Sequence, residues 1–180
     1  MAGRVVAVAK DAEHRFSKIT VPEITIVEGL GVDGDAHQGV AVKHRSRVRV
    51  DPTQPNLRQV HLIQSELFAE LRDLGFVVGP AELGENITTA RIDLLALPRG
   101  AILRIGQDVR LEVTGLRNPC AQIESFREGL LGAILVKAED GTLTRKAGIM
   151  TVVRSGGVVK AGDAIAVDYP QPPFLPLERV

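Results

Sequence analysis

The residue whose surroundings say most about chemistry is Cys120, the single cysteine in this chain of 180 residues. Asn118 is a favoured N-cap residue and Pro119 a favoured first residue of a helix, so the sequence predicts a helix with Cys120 in its first turn. The free N–H groups of that turn and the charge of Arg117 would stabilise a thiolate, the form that acts as nucleophile or metal ligand. The alternative is a small buried hydrophobic residue, the usual role of a solitary cysteine. The neighbouring residues favour the reactive thiol.

A second candidate is the pair Asp35 and His37. Side chains two residues apart share a face of an extended segment, so both groups would point into one pocket. A turn with local hydrogen bonds is the more common structure for such a pattern, and it remains the alternative. The glycine pattern of residues 29–34 (GLGVDG) lacks the helix that a dinucleotide site requires, and a calcium loop would need a glutamate where His44 stands.

The third candidate is a basic loop at residues 43–58, which carries six basic residues and the single acid Asp51. Guanidinium groups bind phosphate oxygens bidentately, so Arg45 and Arg47 are predicted to bind an anion; a solvated surface loop is the alternative. Lys and Arg number 22 in the whole chain, as do Asp and Glu. Because no overall field attracts anions, an anion site has to be local.

Composition also restricts the partners and the compartment. A single cysteine cannot form an intrachain disulfide, which favours a reducing compartment. Neither a secretory signal nor an apolar stretch of about 18 residues is present, so we expect a cytoplasmic protein without membrane contact. Aromatic residues make up only 3% of the chain, which argues against a nucleic-acid partner because single strands are usually bound by aromatic stacking.

Many short apolar segments between glycine- and proline-bearing turns position these candidates. The alternation of residues 109–113 (VRLEV) is typical of a half-buried strand, and Ser65 precedes a helix predicted over residues 66–74. The other predicted strands cover residues 4–8, 24–27, 59–63, 86–88, 101–105, 149–153 and 164–167. This pattern predicts a mainly β fold with a few short helices, either a closed barrel or a sandwich; of the two we expect a closed Greek-key-like β-barrel. We expect one domain over residues 1–180, with a core of about 20–168 and a proline-rich C-terminal strap at residues 169–180.

Several segments in fixed order resemble small stand-alone bacterial proteins of the molybdenum-cofactor sulfurase C-terminal (MOSC) domain family. They are residues 31–39 (GVDGDAHQG), 59–65 (QVHLIQS), 83–88 (LGENIT), 92–97, 101–106, 113–120 (VTGLRNPC) and 148–163 (GIMTVVRSGGVVKAGD). The resemblance implies a β-barrel with a pocket for a molybdopterin-type cofactor. It also implies a cysteine that either carries sulfur or binds molybdenum.

Carried over to this chain, the resemblance makes Cys120 the functional thiol, which is either the metal ligand or the sulfur carrier. The cofactor-binding residues that it implies are Asp35, His37, Asn86, Arg117, Asn118 and Arg145. The family often has an arginine two residues before Gly148, where this chain has Lys146, so Arg145 is displaced by one position. A closed barrel can gather strand ends at one rim, so we expect Asn86 and His37 within reach of the pocket of Cys120.

Three functions follow from the resemblance. The first is a reductase of N-hydroxylated compounds that holds the molybdenum cofactor through Cys120 and takes electrons from a separate electron-transfer protein. The second is a sulfur carrier, in which Cys120 receives a persulfide from a cysteine desulfurase; pyridoxal phosphate would then belong to that partner alone. The third is a non-catalytic module that binds and delivers the cofactor.

Overall fold

The structure is a computed structural model and describes residues 2–41 and 53–180. In this part of the chain, short strands outnumber helices. The strands are β1 (Gly3–Lys10), β2 (Ile19–Val21), β3 (Glu23–Val27), β4 (Gly31–Val32), β5 (Val60–Gln64), β6 (Ile87–Ala90), β7 (Ile102–Ile105), β8 (Val109–Leu116), β9 (Leu135–Lys137), β10 (Leu143–Arg145), β11 (Ile149–Ser155), β12 (Gly157–Lys160) and β13 (Ala164–Asp168). The helices are α1 (Glu66–Asp73), α2 (Ala121–Phe126) and α3 (Leu130–Ile134).

Seven of the described strands form a closed barrel in the order β13-β7-β8-β11-β5-β6-β1, and the pairing of β1 with β13 closes the ring. Neighbouring strands are antiparallel except β5 and β6, which run parallel. Strand β2 pairs with β1, while β12, β3 and β4 form a separate small sheet and β9 pairs with β10. The predicted mainly β fold with a closed barrel and a few short helices is confirmed.

Two apolar cores lie on opposite faces of strand β5. Side chains alternate across a strand, and Val60 and Leu62 pack into the core inside the barrel. Ile63 points to the other side, where it packs with Leu67 of α1 and Ile123 of α2. The helices therefore cover the outer face of the barrel wall, and His61 shares this face with Ile63.

The three helices are short, and one of them begins later than the sequence predicts. Helix α1 confirms the prediction over residues 66–74, whereas α2 begins at Ala121 with Cys120 at its N-cap. The placement of Cys120 in the first helical turn is therefore wrong: its backbone is extended, with φ −130° and ψ 170°. The Arg117 N–H still donates to the Gly148 carbonyl at 3.0 Å, so the chain remains paired past the end of β8 and the helix begins only after it. No helix in the described ranges is long and apolar enough to cross a membrane.

Candidate functional site

Asp35, which follows the short strand β4, is the centre of a buried polar network. Its Oδ2 accepts hydrogen bonds from Lys18 Nζ at 2.5 Å and from Asn86 Nδ2 at 3.0 Å. Its Oδ1 accepts one from the His37 backbone N–H at 3.0 Å and lies 3.2 Å from His37 Nδ1. The Asp11 N–H also donates to Oδ2, at 3.3 Å. The structure thus brings the predicted residues Asp35, His37 and Asn86 together.

The ion pair in this network is withdrawn from water. The side chains of Lys18 and Asp35 are only 5% and 3% exposed. Burial alone would raise the pKa of Asp35, but the hydrogen bonds of His37 and the charge of Lys18 outweigh it and hold that pKa well below its usual range. Asp35 is therefore ionised at neutral pH.

Asn86 connects this network to strand β5. Its Oδ1 accepts a hydrogen bond from the backbone N–H of His61 at 3.2 Å, and its Nδ2 also donates to the Ala9 carbonyl at 3.3 Å. Each polar atom of the Asn86 side chain therefore has a protein partner. Such an amide fixes the relative position of two strands and the loop that carries Asp35.

His61 lies between the network around Asp35 and a second group of residues around Arg117. Its Nε2 donates to the Ala147 carbonyl at 2.7 Å, because a carbonyl oxygen only accepts. Burial, followed by the positive charge of Arg117, lowers the pKa of His61 well below its usual range, and the charge of Lys18 acts in the same direction. The ring is therefore neutral at pH 7 and within electrostatic reach of both cations.

Arg117 follows β8 and is a partly buried cation, one nitrogen of which is fully buried. Its guanidinium carbon lies 5.9 Å from the centre of the Phe16 ring, a cation–π distance. Its Nη1 is buried and has no hydrogen-bond partner among residues 2–41 and 53–180. Burial lowers the pKa of Arg117, while the charges of Cys120 and Glu85 act in the opposite direction. A guanidinium group stays protonated under such conditions, so Arg117 carries a positive charge at neutral pH.

Glu85 is the buried acid near Arg117. Its Oε1 accepts hydrogen bonds from the Ala81 N–H at 2.7 Å and from the Thr88 hydroxyl at 2.9 Å. Its Oε2 is buried and lacks a partner within the described ranges. Burial raises the pKa of Glu85, against the opposing hydrogen bonds and the charge of Arg117.

Cys120 is partly exposed, so the interpretation as an inert core residue does not describe it. Its thiol donates to Gln122 Oε1 at 3.5 Å, a length that is ordinary for sulfur. Arg117 lies within electrostatic range of the sulfur, and the side chain of Asn118 is exposed. The combination is a partly exposed thiol near a partly buried positive charge.

Arg145, the other predicted basic residue, is partly buried at the end of β10. Its Nε is buried and has no partner among the described residues, while its Nη1 donates weakly to the Leu143 carbonyl at 3.5 Å. The neighbouring Lys146 instead forms an ion pair with Glu70 of α1 at 2.7 Å. Arg45 and Arg47 of the basic loop lie outside the described residues.

Sequence reasoning missed three members of the site: Lys18, His61 and Glu85. His61 and Glu85 lie in QVHLIQS and LGENIT, two segments that carry the family resemblance, but of these residues the resemblance implies a binding role for Asn86 alone. Lys18 had no local signal, because its partner Asp35 is 17 residues away. The structure places His61 on the outer face of the barrel wall, under the helices, whereas the sequence predicted a site at the barrel rim.

Solved structures of other proteins share the fold. The chain is similar to the YuaD protein from Bacillus subtilis, with a TM-score of 0.77 and 24% identity over 95% of this chain and 98% of that one. It is also similar to YiiM from Escherichia coli (TM-score 0.63, 20% identity, 96% and 73% covered) and YiiM from Geobacillus stearothermophilus (0.62, 18%, 98% and 78%). No curated protein sequence matches the chain.

The sequence profile of the MOSC domain matches residues 35–166, a range that begins at the central carboxylate of the network and includes Asn86, Arg117 and Cys120. Lys18 precedes that range, so the partner of Asp35 comes from outside the matched segment. The match covers well over half of the chain and agrees with the segments that the sequence analysis singled out. The chain belongs to the MOSC domain family.

Proposed function

We propose that this MOSC domain binds a molybdenum cofactor beside residues 117–120 and uses it to reduce N-hydroxylated compounds. MOSC domains are associated with the molybdenum cofactor. The observation that carries the proposal is the buried Nη1 of the Arg117 guanidinium, which has no hydrogen-bond partner among the described residues. A buried donor without a protein partner requires an explanation, and an anionic ligand next to the single thiol provides one. A cytoplasmic location is part of the proposal.

The residues present fit such a cofactor in charge and in donor type. The buried Nη1 of Arg117 and Nε of Arg145 both lack partners in the described ranges, and guanidinium groups are suited to phosphate oxygens. Cys120 offers a soft sulfur donor. No three His, Cys, Asp or Glu side chains of residues 2–41 and 53–180 converge as a metal cage. One protein thiol is a donor set suited to a metal that an organic cofactor already carries.

When bound, the cofactor supplies the redox centre for a reaction in which the N–O bond of the substrate breaks with uptake of two electrons and two protons, yielding an N–H group and water. Within the chain, Arg117 and Arg145 would bind the anionic part of the cofactor, and Cys120 would hold its metal. The network of Asp35, Asn86 and Lys18 fixes the adjoining wall. The electrons come from a separate electron-transfer protein.

The exposure of Cys120 favours a second candidate, the sulfur carrier. A sulfur atom that another protein must reach has to be accessible, and this thiol is partly exposed. In that reaction the Cys120 thiolate attacks the terminal sulfur of a desulfurase persulfide. The S–S bond of the desulfurase breaks, a new one forms on Cys120, and the desulfurase cysteine leaves as a thiolate. Pyridoxal phosphate belongs to the desulfurase.

Metal and sulfur analysis of the protein distinguishes the candidates. The protein is purified under reducing, anaerobic conditions and assayed for molybdenum, for labile sulfane sulfur and for reduction of an amidoxime. Stoichiometric molybdenum with turnover supports the reductase, and molybdenum without turnover supports a delivery module. Sulfane sulfur without metal supports the sulfur carrier.

A matched pair of variants assigns the loading to the thiol. Cys120→Ser should lose the molybdenum or sulfane sulfur, because a serine hydroxyl stays protonated where a thiol gives the thiolate that binds metal, and it cannot form a persulfide. Ser125→Ala, in the helix that follows, should load like the wild type, since its hydroxyl is exposed and donates to the Ala121 carbonyl of the same helix. Equal loading of both variants would rule out Cys120 as the ligand and as the carrier.

A further inference from the structure

The C-terminal strap lies directly beside the segment that carries Arg117. The N–H of Leu116, the last residue of β8, donates to the Glu178 carbonyl at 2.7 Å. The Val180 N–H donates back to the Leu116 carbonyl at 3.2 Å, which makes a parallel bridge between Leu116 and Arg179. Both backbone polar groups of Leu116 are therefore satisfied by the strap.

The strap occupies an edge of β8 that the neighbouring strand has left. Strand β7 pairs with β8 only up to Glu112. On the other edge, Ile149 of β11 lies opposite Leu116, and the Arg117 N–H donates to the Gly148 carbonyl at 3.0 Å. Leu116 and Arg117, which lead to Cys120, are thus held between β11 and the strap. Helix α2 adds no side-chain cap that would fix it from the other end.

Gly115 shows how closely the strap packs on β8. A Cβ atom added at Gly115 would lie 2.3 Å from the Glu178 carbonyl oxygen and 2.7 Å from Val180 Cγ1. Gly115 is not among the residues with positive φ, so it is needed for space and not for backbone conformation. Residues 178–180 therefore pack so closely on Gly115 that no side chain fits between them.

Two further contacts anchor the strap. Leu177 packs against the core of the barrel, and the Leu175 carbonyl accepts a hydrogen bond from the Arg99 N–H at 2.9 Å. The strap is consequently tied to the barrel before it reaches Leu116. A fixed strand of this kind can set the position of the residue that follows it.

We propose that residues 178–180 of the strap act as a positioning strand, which holds Leu116 so that the Arg117 guanidinium faces the anion-binding space. The inference rests on the anion-binding role proposed above for Arg117. In this role the strap does not contact the ligand; it acts on the site through Leu116. An error of about 1 Å in the placement of a binding group is enough to weaken its action strongly.

Two changes and their combination test the inference. Gly115→Ala pushes residues 178–180 away from β8, deletion of residues 178–180 removes this end of the strap, and the double variant carries both changes. The control is Gly132→Ala in α3, where an added Cβ meets nothing within 4 Å. The probe is inorganic phosphate, titrated while the Nε–Hε NMR signal of Arg117 is recorded.

We expect Gly115→Ala and the deletion each to shift the Arg117 signal and to weaken phosphate binding by about tenfold. The double variant should bind no more weakly than the deletion alone, because changes that act through one contact are not additive. Gly132→Ala should match the wild type. If Gly115→Ala does not fold, the deletion and the double variant, which lack the clashing atoms, still give the comparison.

The inference is overturned if the deletion leaves the Arg117 signal and the phosphate affinity unchanged, or if the two changes multiply in the double variant. Failure of the proposed function gives a different result. In that case the wild type binds no phosphate, while the Arg117 signal still moves when the strap is removed. The positioning role then stands, and the anion-binding role of Arg117 does not.

Discussion

The two halves of the site, around Asp35 and around Arg117, differ in how completely their polar groups are partnered. Asp35 accepts hydrogen bonds from Lys18, His37 and Asn86, and both of its oxygens are used. Around Arg117, the guanidinium Nη1 and Glu85 Oε2 are equally buried but have no partner in the described part of the chain. Both halves lie in segments that carry the family resemblance, and only the structure shows that their polar groups differ in this way.

The difference indicates that the two halves have different roles, one in stability and the other in ligand binding. A fully satisfied buried network holds one conformation and contributes to the fold. A buried charge with an unused donor costs stability in the free protein, and that cost is recovered when a ligand of opposite charge binds. We therefore expect substitutions around Asp35 to affect stability first, and substitutions around Arg117 to affect ligand binding first.

The largest effect on stability is expected for Asp35→Asn. The change removes the carboxylate and leaves the Lys18 ammonium buried without its counter-charge. The free energy of unfolding should fall by about 3–5 kcal/mol, the usual cost of breaking a buried ion pair. Urea titration at pH 7 measures it. Asp33→Asn, at an exposed carboxylate two residues away, is the control and should cost at most about 0.5 kcal/mol. Equal costs for the two variants would show that the network does not support the fold.

The next effect is a loss of stability in weak acid caused by His61. Because its pKa is lowered in the folded state, the unfolded chain binds a proton below about pH 6.5 while the folded protein does not. Stability is then full above pH 6.5 and falls below it, by up to about 1.4 kcal/mol per pH unit. Asp35 follows at lower pH, since its contribution is lost only as pH falls below about 4.

His61→Gln separates the two acid transitions. Glutamine keeps a donor for the Ala147 carbonyl but does not titrate. The slope of unfolding free energy between pH 6.5 and 5 should therefore flatten in His61→Gln, whereas the loss below pH 4 should remain. Urea titrations at half-unit pH intervals provide the measurement. An unchanged slope between pH 6.5 and 5 would assign it to another group.

Much of the barrel could be predicted because its strands carry local patterns. The alternation of residues 109–113 and the apolar run of residues 4–8 both lie inside observed strands. Closure of the barrel could not be derived in this way, because it depends on the pairing of β1 with β13, at opposite ends of the chain. Strands of two or three residues, such as β4 and β2, are too short to show a period.

The site was predictable to the extent that its residues are neighbours in sequence. Arg117 and Cys120 are close along the chain, and their electrostatic relation follows from that spacing. The helix start predicted at Asn118 was wrong, because hydrogen bonds of Leu116 and Arg117 to distant segments extend the strand. Local preference indicated a cap, and tertiary pairing prevailed over it. Lys18 lay beyond prediction for the same reason.

Arg117→Met should have a smaller effect on stability than either change above. The methionine keeps most of the side-chain volume over Phe16 and removes a buried charge, so the free energy of unfolding should stay within about 1 kcal/mol or rise. Phosphate binding should be lost. Arg127→Met, at an exposed residue after α2, is the control for binding. A loss of stability as large as that of Asp35→Asn would place Arg117 in the structural half of the site.

The smallest effect, and the finest distinction, concerns the adjacent residues Arg145 and Lys146. The family's usual basic position is occupied by Lys146, yet Lys146 is engaged with Glu70, and both side chains are partly exposed, at 30% and 51%. Such a pair contributes at most about 1 kcal/mol, so Lys146→Met should lower stability slightly and leave phosphate affinity unchanged.

Arg145→Met should instead weaken phosphate binding a few-fold with stability nearly unchanged, because its buried Nε has no protein partner to lose among the described residues. Phosphate titration and urea unfolding of the two variants measure both quantities. If Lys146→Met weakens binding and Arg145→Met does not, the anion-binding role belongs to Lys146, and the displaced arginine is not part of the site.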